Sequence, residues 1–255
     1  MTEDTPLPQT DAGRPFAVFD IDGTVAREAL FLNVVHEICR RGLIPEEEAK
    51  QIEDAYDAWR KRRGEDPFSD YVQLCVRTIE RHLSAIEVSH YEEIVAGVLK
   101  QTAEYIYLYT TRLIKELKDK GYVILAISGS EGRTVSHFCL RHGFDDWVGA
   151  DFHHRDGFFT GSASYTAENK GRHLKEMIKK HNLSLKGSIA VGDTMGDIEM
   201  FNMVETPICF NPNLELQQTA LQRGWTIVVE RKNVIYVLKR TDGRYVLETG
   251  APEDF

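Results

Sequence analysis

Two aspartates stand at the end of the first apolar run in the sequence. The run Phe16–Phe19 is followed by Asp20, Ile21, Asp22 and Gly23. A continuous apolar run predicts a strand covered on both faces, as in a parallel α/β sheet, whose ligands bind at the carboxyl ends of the strands. Two carboxylates there repel each other and cost desolvation free energy, which a bound cation would remove. Taken alone, a solvated Asp-Gly turn is the alternative.

Three later segments carry groups that complement this pair: Ser128-Gly129, Lys170, and Asp193 with Asp197. Ser128 follows an apolar run, and a hydroxyl with free backbone N–H groups ahead of a helix can bind an anion, although an N-cap serine is the alternative. Lys170 lies near a helix start, where the helix dipole disfavours a cation, and a solvated lysine is the alternative to a functional one. Asp193 and Asp197 follow another apolar run, and a polar loop is the alternative there.

Together these groups fit phosphoryl transfer better than their separate alternatives. They offer a carboxylate nucleophile, a second carboxylate, oxygen ligands for a hard cation, a hydroxyl and an ammonium group. Mg²⁺ prefers oxygen ligands, and the transferring group needs positive charge and hydrogen bonds on its oxygens. The combination predicts an enzyme that uses Mg²⁺.

The periodicity of apolar residues predicts how these groups are positioned. An almost wholly helical block follows the first strand, and strands then alternate with helices, which predicts a doubly wound, Rossmann-like parallel sheet with an inserted helical domain. The predicted parts are a disordered tail (1–14), an α/β core (15–26 and 106–230), a helical cap (27–105), and a C-terminal hairpin with a tail (231–255). Runs 207–210 and 226–229 are predicted as the outer strands of the sheet. We expect the hairpin to cover the sheet edge.

Between Phe16 and Val229 the chain resembles the haloacid dehalogenase superfamily of phosphohydrolases. The resemblance rests on four short motifs in order: Asp20-Ile21-Asp22-Gly23-Thr24, Ser128, Lys170, and Gly192-Asp193-Thr194-Met195-Gly196-Asp197. It implies an aspartyl-phosphate on Asp20, with Asp22 protonating the leaving oxygen and then activating water. It also implies that Ser128, Gly129 and Lys170 hold the phosphoryl group.

The resemblance implies a metal site as well. Mg²⁺ would be bound by Asp20, by the backbone carbonyl of Asp22 and by Asp193, while Asp197 would act through water or orient Asp193 or Lys170. A second carboxylate at Asp22 is typical of the superfamily's phosphatases and phosphotransferases. Its carbon–halogen hydrolases lack this carboxylate, and its ion pumps have threonine there.

The place of the helical insertion resembles the subfamily that includes phosphoserine phosphatase, and a cap of this kind implies a small phosphorylated substrate. Those enzymes hold the amino acid with a glutamate and an arginine. Here Glu28 falls one residue early, Gln73 stands at the arginine position, and Arg77 lies one turn further along. The substrate therefore stays open. Five aromatic residues could line the cap, although their helical spacing favours core packing: Phe31, Tyr56, Trp59, Phe68 and Tyr71.

The composition argues against several partners. The 255 residues are 42% hydrophobic with a net charge of −9, which disfavours a broad nucleic-acid surface, and no apolar run is long enough to insert into a membrane. Four cysteines without metal-ligand spacing predict reduced, buried thiols and a cytoplasmic protein. The sequence does not indicate an oligomeric state. A phosphotransferase or phosphomutase, or a non-catalytic regulatory protein on the same scaffold, are the alternatives to a phosphatase.

Overall fold

The computed structural model describes residues 13–167 and 169–248. Nearly all of the predicted N-terminal tail and the last residues of the predicted C-terminal tail lie outside these ranges. One nine-stranded sheet organises the described chain, in the order β4-β3-β2-β1-β5-β6-β7-β8-β9. The strands are β1 (Arg14–Phe19), β2 (Val123–Glu131), β3 (Asp146–Arg155), β4 (Phe158–Ser164), β5 (Leu183–Gly192), β6 (Thr206–Phe210), β7 (Thr226–Arg231), β8 (Val234–Thr241) and β9 (Arg244–Glu248).

The sheet is parallel from β3 through β7 and antiparallel at both ends. Strand β1 lies in the middle, where Ala17 pairs with Ile124 of β2 and Ile189 of β5. Residues of β1 alternate between two hydrophobic cores, because Ala17 and Phe19 belong to one and Phe16 and Val18 to the other. This burial on both faces explains the continuous apolar run and confirms the predicted doubly wound sheet.

Helices cover both faces of the sheet. They are α1 (Leu30–Arg40), α2 (Glu46–Arg60), α3 (Pro67–His82), α4 (Val88–Thr102), α5 (Leu108–Asp119), α6 (Gly132–His142), α7 (Lys170–His181), α8 (Ile198–Phe201) and α9 (Leu214–Arg223), with short 3₁₀ turns at Leu83–Ala85 and Met195–Asp197. Buried residues of α1, α3, α4, α5 and α6 share the core of Phe19, whereas those of α7, α8 and α9 share the core of Phe16.

Helices α1 to α4 form the helical insertion between β1 and α5. Its two connections to the sheet pair with each other, because the Arg27 N–H donates to the Tyr105 carbonyl (2.7 Å) and the Tyr107 N–H donates to the Val25 carbonyl (3.0 Å). The insertion also packs on the β3–β4 hairpin, where the Tyr91 ring contacts Phe159 with centroids 5.2 Å apart. These contacts place the start of α1 beside the carboxyl ends of the central strands.

Most of the predicted aromatic set packs together inside the insertion. Tyr71 is 1% exposed, and the Trp59 ring stacks on it with centroids 5.9 Å apart. Tyr56 and Phe68 contact the same tryptophan. Phe31 lies apart from this group and packs edge-on against Phe152 of β3, at 6.1 Å.

Two strand predictions need correction. The apolar runs predict a strand over 122–127 and a short strand over 147–150, but β2 continues to Glu131 and β3 extends to Arg155, because each gains pairing partners beyond its apolar stretch. Strands β6 and β7 end the parallel part of the sheet on one side, and the C-terminal hairpin adds β8 and β9 at that edge. The Asp242-Gly243 pair in the sequence predicts a two-residue hairpin turn between β8 and β9, and both residues have the positive φ (50° and 78°) that such a turn requires.

Among the described residues, no helix combines the length and apolar character that a membrane span requires.

Candidate active site

Adjacent parallel strands bring the predicted residues to one edge of the sheet. Asp20 directly follows β1, Ser128 lies near the end of β2, and Asp193 directly follows β5. The Asp20 N–H donates to the Val191 carbonyl at 2.9 Å, which continues the pairing of β1 with β5. The chain then turns sharply, because the Val25 and Ala26 N–H groups both donate to the Ile21 carbonyl at 2.9 Å. The turn keeps Asp20 and Asp22 at the sheet edge.

Two glycines leave room for the carboxylates. Gly23 has φ +77°, and a Cβ there would overlap the Asp193 carboxylate. A Cβ on Gly192 would overlap the carboxylate of Asp197. The motifs therefore contain glycine at these positions because the carboxylates approach the backbone, and Gly23 has the additional demand of a left-handed conformation.

Three carboxylates and one ammonium group form the acidic centre, defined as Asp20, Asp193, Asp197 and Lys170. One oxygen from each aspartate lies within 4.8 Å of the other two. Lys170 Nζ donates to Asp20 Oδ1 at 2.6 Å and to Asp197 Oδ1 at 2.7 Å. Asp20 and Lys170 are each 5% exposed and Asp197 is fully buried. Lys170 thus bridges two carboxylates from different parts of the chain.

The acidic centre contains three carboxyl groups and only one ammonium group, so its negative charge is in excess when all are ionised. Burial, together with the negative charges of Asp197 and Asp22, raises the pKa of Asp20 from 3.8 to about 7, although Lys170 opposes the rise. Burial and the charges of Asp20 and Asp197 raise the pKa of Asp193 well above its ordinary value. Burial disfavours the Lys170 ammonium, but Asp197 and Asp20 outweigh it and raise the pKa of Lys170. A divalent cation among these oxygen donors would offset the excess negative charge.

Asp197 connects Lys170 to the loop after β5. Its Oδ1 accepts from Lys170, and its Oδ2 accepts from the backbone N–H groups of Asp193 (3.0 Å) and Thr194 (3.2 Å). Lys170 opens α7, and the next N–H of that helix, on Gly171, donates to Glu199 Oε2 at 2.8 Å. Acidic groups therefore surround a helix start that would otherwise disfavour a lysine.

A second group of polar contacts forms around Asp22. Its Oδ2 accepts from the hydroxyls of Ser128 (2.9 Å) and Ser130 (2.7 Å), and its Oδ1 accepts from the Leu30 N–H at 2.7 Å. Ser128 also accepts from the Ser130 N–H at 3.0 Å. The structure thus brings Ser128 into direct contact with Asp22, while Lys170 is in direct contact with Asp20.

Sequence reasoning missed Ser130. The hydroxyl lies on β2, 2% exposed, and it accepts from the Phe31 N–H at 3.0 Å in addition to its bond with Asp22. The signal was available, because residues two apart on a strand point to the same face and Ser128 and Ser130 have that spacing. The shared face of the two serines was missed because the apolar run that predicts β2 ends at Ile127, whereas the strand continues to Glu131.

Among the described residues, no hydrogen bond or ion pair joins the residues predicted to recognise substrate to the acidic centre. Glu28 is exposed and accepts from Asn33 Nδ2 at 3.2 Å. Gln73 and Arg77 lie one turn apart on α3, where the Gln73 amide donates to Ser69 Oγ at 3.1 Å. Gly129 is exposed beside Ser128, and a Cβ there would lie 3.6 Å from the Ala167 side chain. The side chains of Glu28, Gln73 and Arg77 are all exposed to solvent.

Comparison with known proteins identifies the family. A model of haloacid dehalogenase-like hydrolases matches residues 17–202, and a second model with the same description matches residues 166–240. The chain belongs to the haloacid dehalogenase-like hydrolases. This result confirms the family that the four motifs indicated and the predicted hydrolase class.

Individual relatives agree with this family. The chain is 25% identical over 225 residues to a phosphoserine phosphatase from Methanocaldococcus jannaschii, covering 87% of this chain and 95% of the relative. It is 21% identical over 226 residues to a histidinol-phosphatase from Neisseria meningitidis, covering 83% and 97%. A Bordetella pertussis structure, described as a protein with unknown function, shares the fold with a TM-score of 0.70 and 17% identity over 84% of this chain and 98% of that one.

Proposed function

We propose that this hydrolase is a Mg²⁺-dependent phosphatase that cleaves a small phosphate monoester through an aspartyl-phosphate on Asp20. The observation that carries the proposal is the buried contact between Asp20 and Lys170 beside Asp193 and Asp197. A nucleophile, a cation that can neutralise phosphoryl oxygens, and an oxygen-rich metal site then lie together. Family membership and the relatives named as phosphatases support the same reaction.

The donor set fits a magnesium ion. We assign its protein ligands to Asp20, the backbone carbonyl of Asp22, and Asp193. Asp197 then acts as a positioning residue, because Lys170 and two backbone N–H groups already occupy its oxygens. When bound, Mg²⁺ would neutralise charge on the phosphoryl oxygens and lower the repulsion between them and the carboxylates.

The protein's own residues would carry out two successive displacements. A carboxylate oxygen of Asp20 attacks phosphorus, and the ester P–O bond breaks with its electron pair going to the leaving oxygen. That oxygen takes a proton from Asp22, and Lys170 holds the transferring group. Asp22 then removes a proton from water as the water oxygen attacks phosphorus, which breaks the bond to Asp20 and releases inorganic phosphate. Ser128 contributes by holding Asp22 and donating to phosphate when its hydroxyl turns.

The helical insertion acts as a cap in this proposal. It begins at the sheet edge where Asp22 contacts Leu30, so it lies where a lid over a small substrate is needed. The relatives named phosphoserine phosphatase and histidinol-phosphatase support small alkyl phosphates as the first candidates to test. Arg77 and Glu28 are the charged groups we assign to substrate recognition.

Phosphate release from a panel of monoesters, with Mg²⁺ and with EDTA, tests the proposal. We expect Mg²⁺-dependent release, and Asp20→Asn should abolish it because an amide is a poor nucleophile. Asp156→Asn is the matched control, since Asp156 lies in the β3–β4 turn with φ +51°, a conformation that Asn tolerates. Turnover retained by Asp20→Asn would refute the mechanism. Transfer to an added alcohol in place of phosphate release would favour the phosphotransferase alternative.

A further inference from the structure

The first turn of α1 obtains its hydrogen-bond partners from outside the helix. Its N-cap residue is Ala29, whose side chain has no acceptor. The Leu30 N–H donates instead to Asp22 Oδ1, and the Phe31 N–H donates to Ser130 Oγ. The leading N–H groups of a helix must find acceptors. Here a carboxylate and a hydroxyl on the strand ends supply them.

Ser130 makes both bonds with a single hydroxyl. Its proton is donated to Asp22 Oδ2 at 2.7 Å, and its oxygen accepts from Phe31 at 3.0 Å. Both oxygens of Asp22 are consequently occupied by groups from β2 and α1. Three segments therefore meet at one carboxylate: the turn after β1, the end of β2 and the start of the helical insertion.

We propose that Ser130 is a positioning residue for Asp22, which it holds in register with the first turn of the helical insertion. This inference rests on the proposed function, in which Asp22 is the general acid and base. Without the Ser130 hydroxyl, Asp22 Oδ2 loses one of its two donors and the Phe31 N–H loses its acceptor. Asp22 then samples orientations in which its proton does not reach the leaving oxygen.

The dependence of rate on the leaving group separates this role from a structural one. An alkoxide leaving group needs protonation, whereas p-nitrophenolate leaves without it. A misplaced general acid therefore slows the hydrolysis of alkyl phosphates more than that of p-nitrophenyl phosphate. The ratio of kcat/KM for an alkyl phosphate to kcat/KM for p-nitrophenyl phosphate reports this difference, because kcat/KM covers the steps up to departure of the leaving group.

We expect Ser130→Ala to lower this alkyl-to-aryl ratio by about tenfold, a fraction of the total effect of a general acid. Ser130→Thr keeps the hydroxyl and should restore the ratio. In an Asp22→Asn background, Ser130→Ala should leave the ratio unchanged, since the group that it positions can no longer donate a proton. If Ser130→Ala does not fold, Ser130→Cys fills similar space with a weak donor and takes its place.

Ser188→Ala is the matched control. Ser188 is fully buried, and its hydroxyl also donates one hydrogen bond and accepts one, but both partners are backbone groups: it donates to the Leu185 carbonyl and accepts from the Glu205 N–H. Ser188 lies within β5, upstream of the strand end that Asp193 follows. This variant should lose stability without changing the ratio.

An unchanged ratio in Ser130→Ala, with active wild-type enzyme, would overturn the role of Ser130 alone. An equal loss of ratio in Ser188→Ala would also overturn it, because general destabilisation would explain both. If the wild-type protein releases no phosphate from any monoester with Mg²⁺, the proposed function fails, and the positioning role of Ser130 fails with it.

Discussion

The raised pKa of Asp20 predicts that the protein without Mg²⁺ loses stability as the pH increases. Burial raises the pKa from 3.8 to about 7. Between these values the folded protein holds a proton that the unfolded chain has released. The free energy of unfolding therefore falls as the pH rises through this interval, because folding becomes linked to uptake of a proton.

The size of the effect follows from the same values. The rise in the pKa of Asp20 corresponds to about 4 kcal/mol at 1.36 kcal/mol per pKa unit. This stabilisation is fully present below about pH 4 and is lost by about pH 7. Asp193 has a raised pKa for the same reason and should contribute with the same sign. Mg²⁺ should flatten the dependence, since bound cation favours the ionised carboxylates.

Denaturant unfolding over this pH interval, in EDTA and in Mg²⁺, measures the dependence. Other groups also titrate, so the informative quantity is the difference between wild-type protein and Asp20→Asn, which cannot release a proton at that position. We expect the Asp20→Asn protein to lose less stability with rising pH, whereas Asp156→Asn should follow the wild type. Parallel profiles for wild type and Asp20→Asn in EDTA would refute the reasoning.

Two further predictions concern groups around Asp20. Gly23→Ala should weaken Mg²⁺ binding, measured by titration of activity or of thermal stability, because its Cβ would overlap Asp193. Gly157→Ala is the control, since Gly157 has φ +85° with open space around its Cβ position and carries only the cost of a left-handed alanine backbone, about 1–2 kcal/mol. Equal metal affinity in both variants would contradict the role of the close approach. Lys170→Met should reduce phosphate release by about 100-fold or more, because the ammonium group that holds the phosphoryl oxygens is lost. It should also lower the free energy of unfolding by about 3 kcal/mol, because it leaves the buried carboxylates of Asp20 and Asp197 unpaired. Exposed Lys179→Met should change neither, and similar effects in the two variants would argue against the buried ion pairs.

The parallel sheet and the acidic centre could be predicted because local sequence determines them. The apolar run before Asp20 requires burial on both faces, and such a strand places its following residues at the ligand-binding edge. The same reasoning applied to Asp193 after β5. Both positions follow once the preceding segment is recognised as a strand, and the pattern of apolar residues is enough for that.

The contacts around Asp22 could not be predicted in the same way. They depend on where β2 ends, and the polar residues 128–131 gave no apolar signal for its continuation. They depend also on α1 lying against the sheet edge, which is set by packing between distant segments such as Phe31 and Phe152. A third example is Glu230 of β7, which accepts from the Leu108 and Tyr109 N–H groups at the start of α5 across more than a hundred residues of sequence.

The most direct test of the central claim is whether Asp20 carries the phosphoryl group. In Asp22→Asn, water activation is impaired while p-nitrophenolate can still leave, so the intermediate should accumulate. Mixing this variant with p-nitrophenyl phosphate and Mg²⁺ should release a burst of about one equivalent of p-nitrophenolate. After acid quench, peptide mapping should locate one phosphoryl group on Asp20. A phosphoryl group on another residue, or steady turnover by Asp20→Asn, would contradict the account.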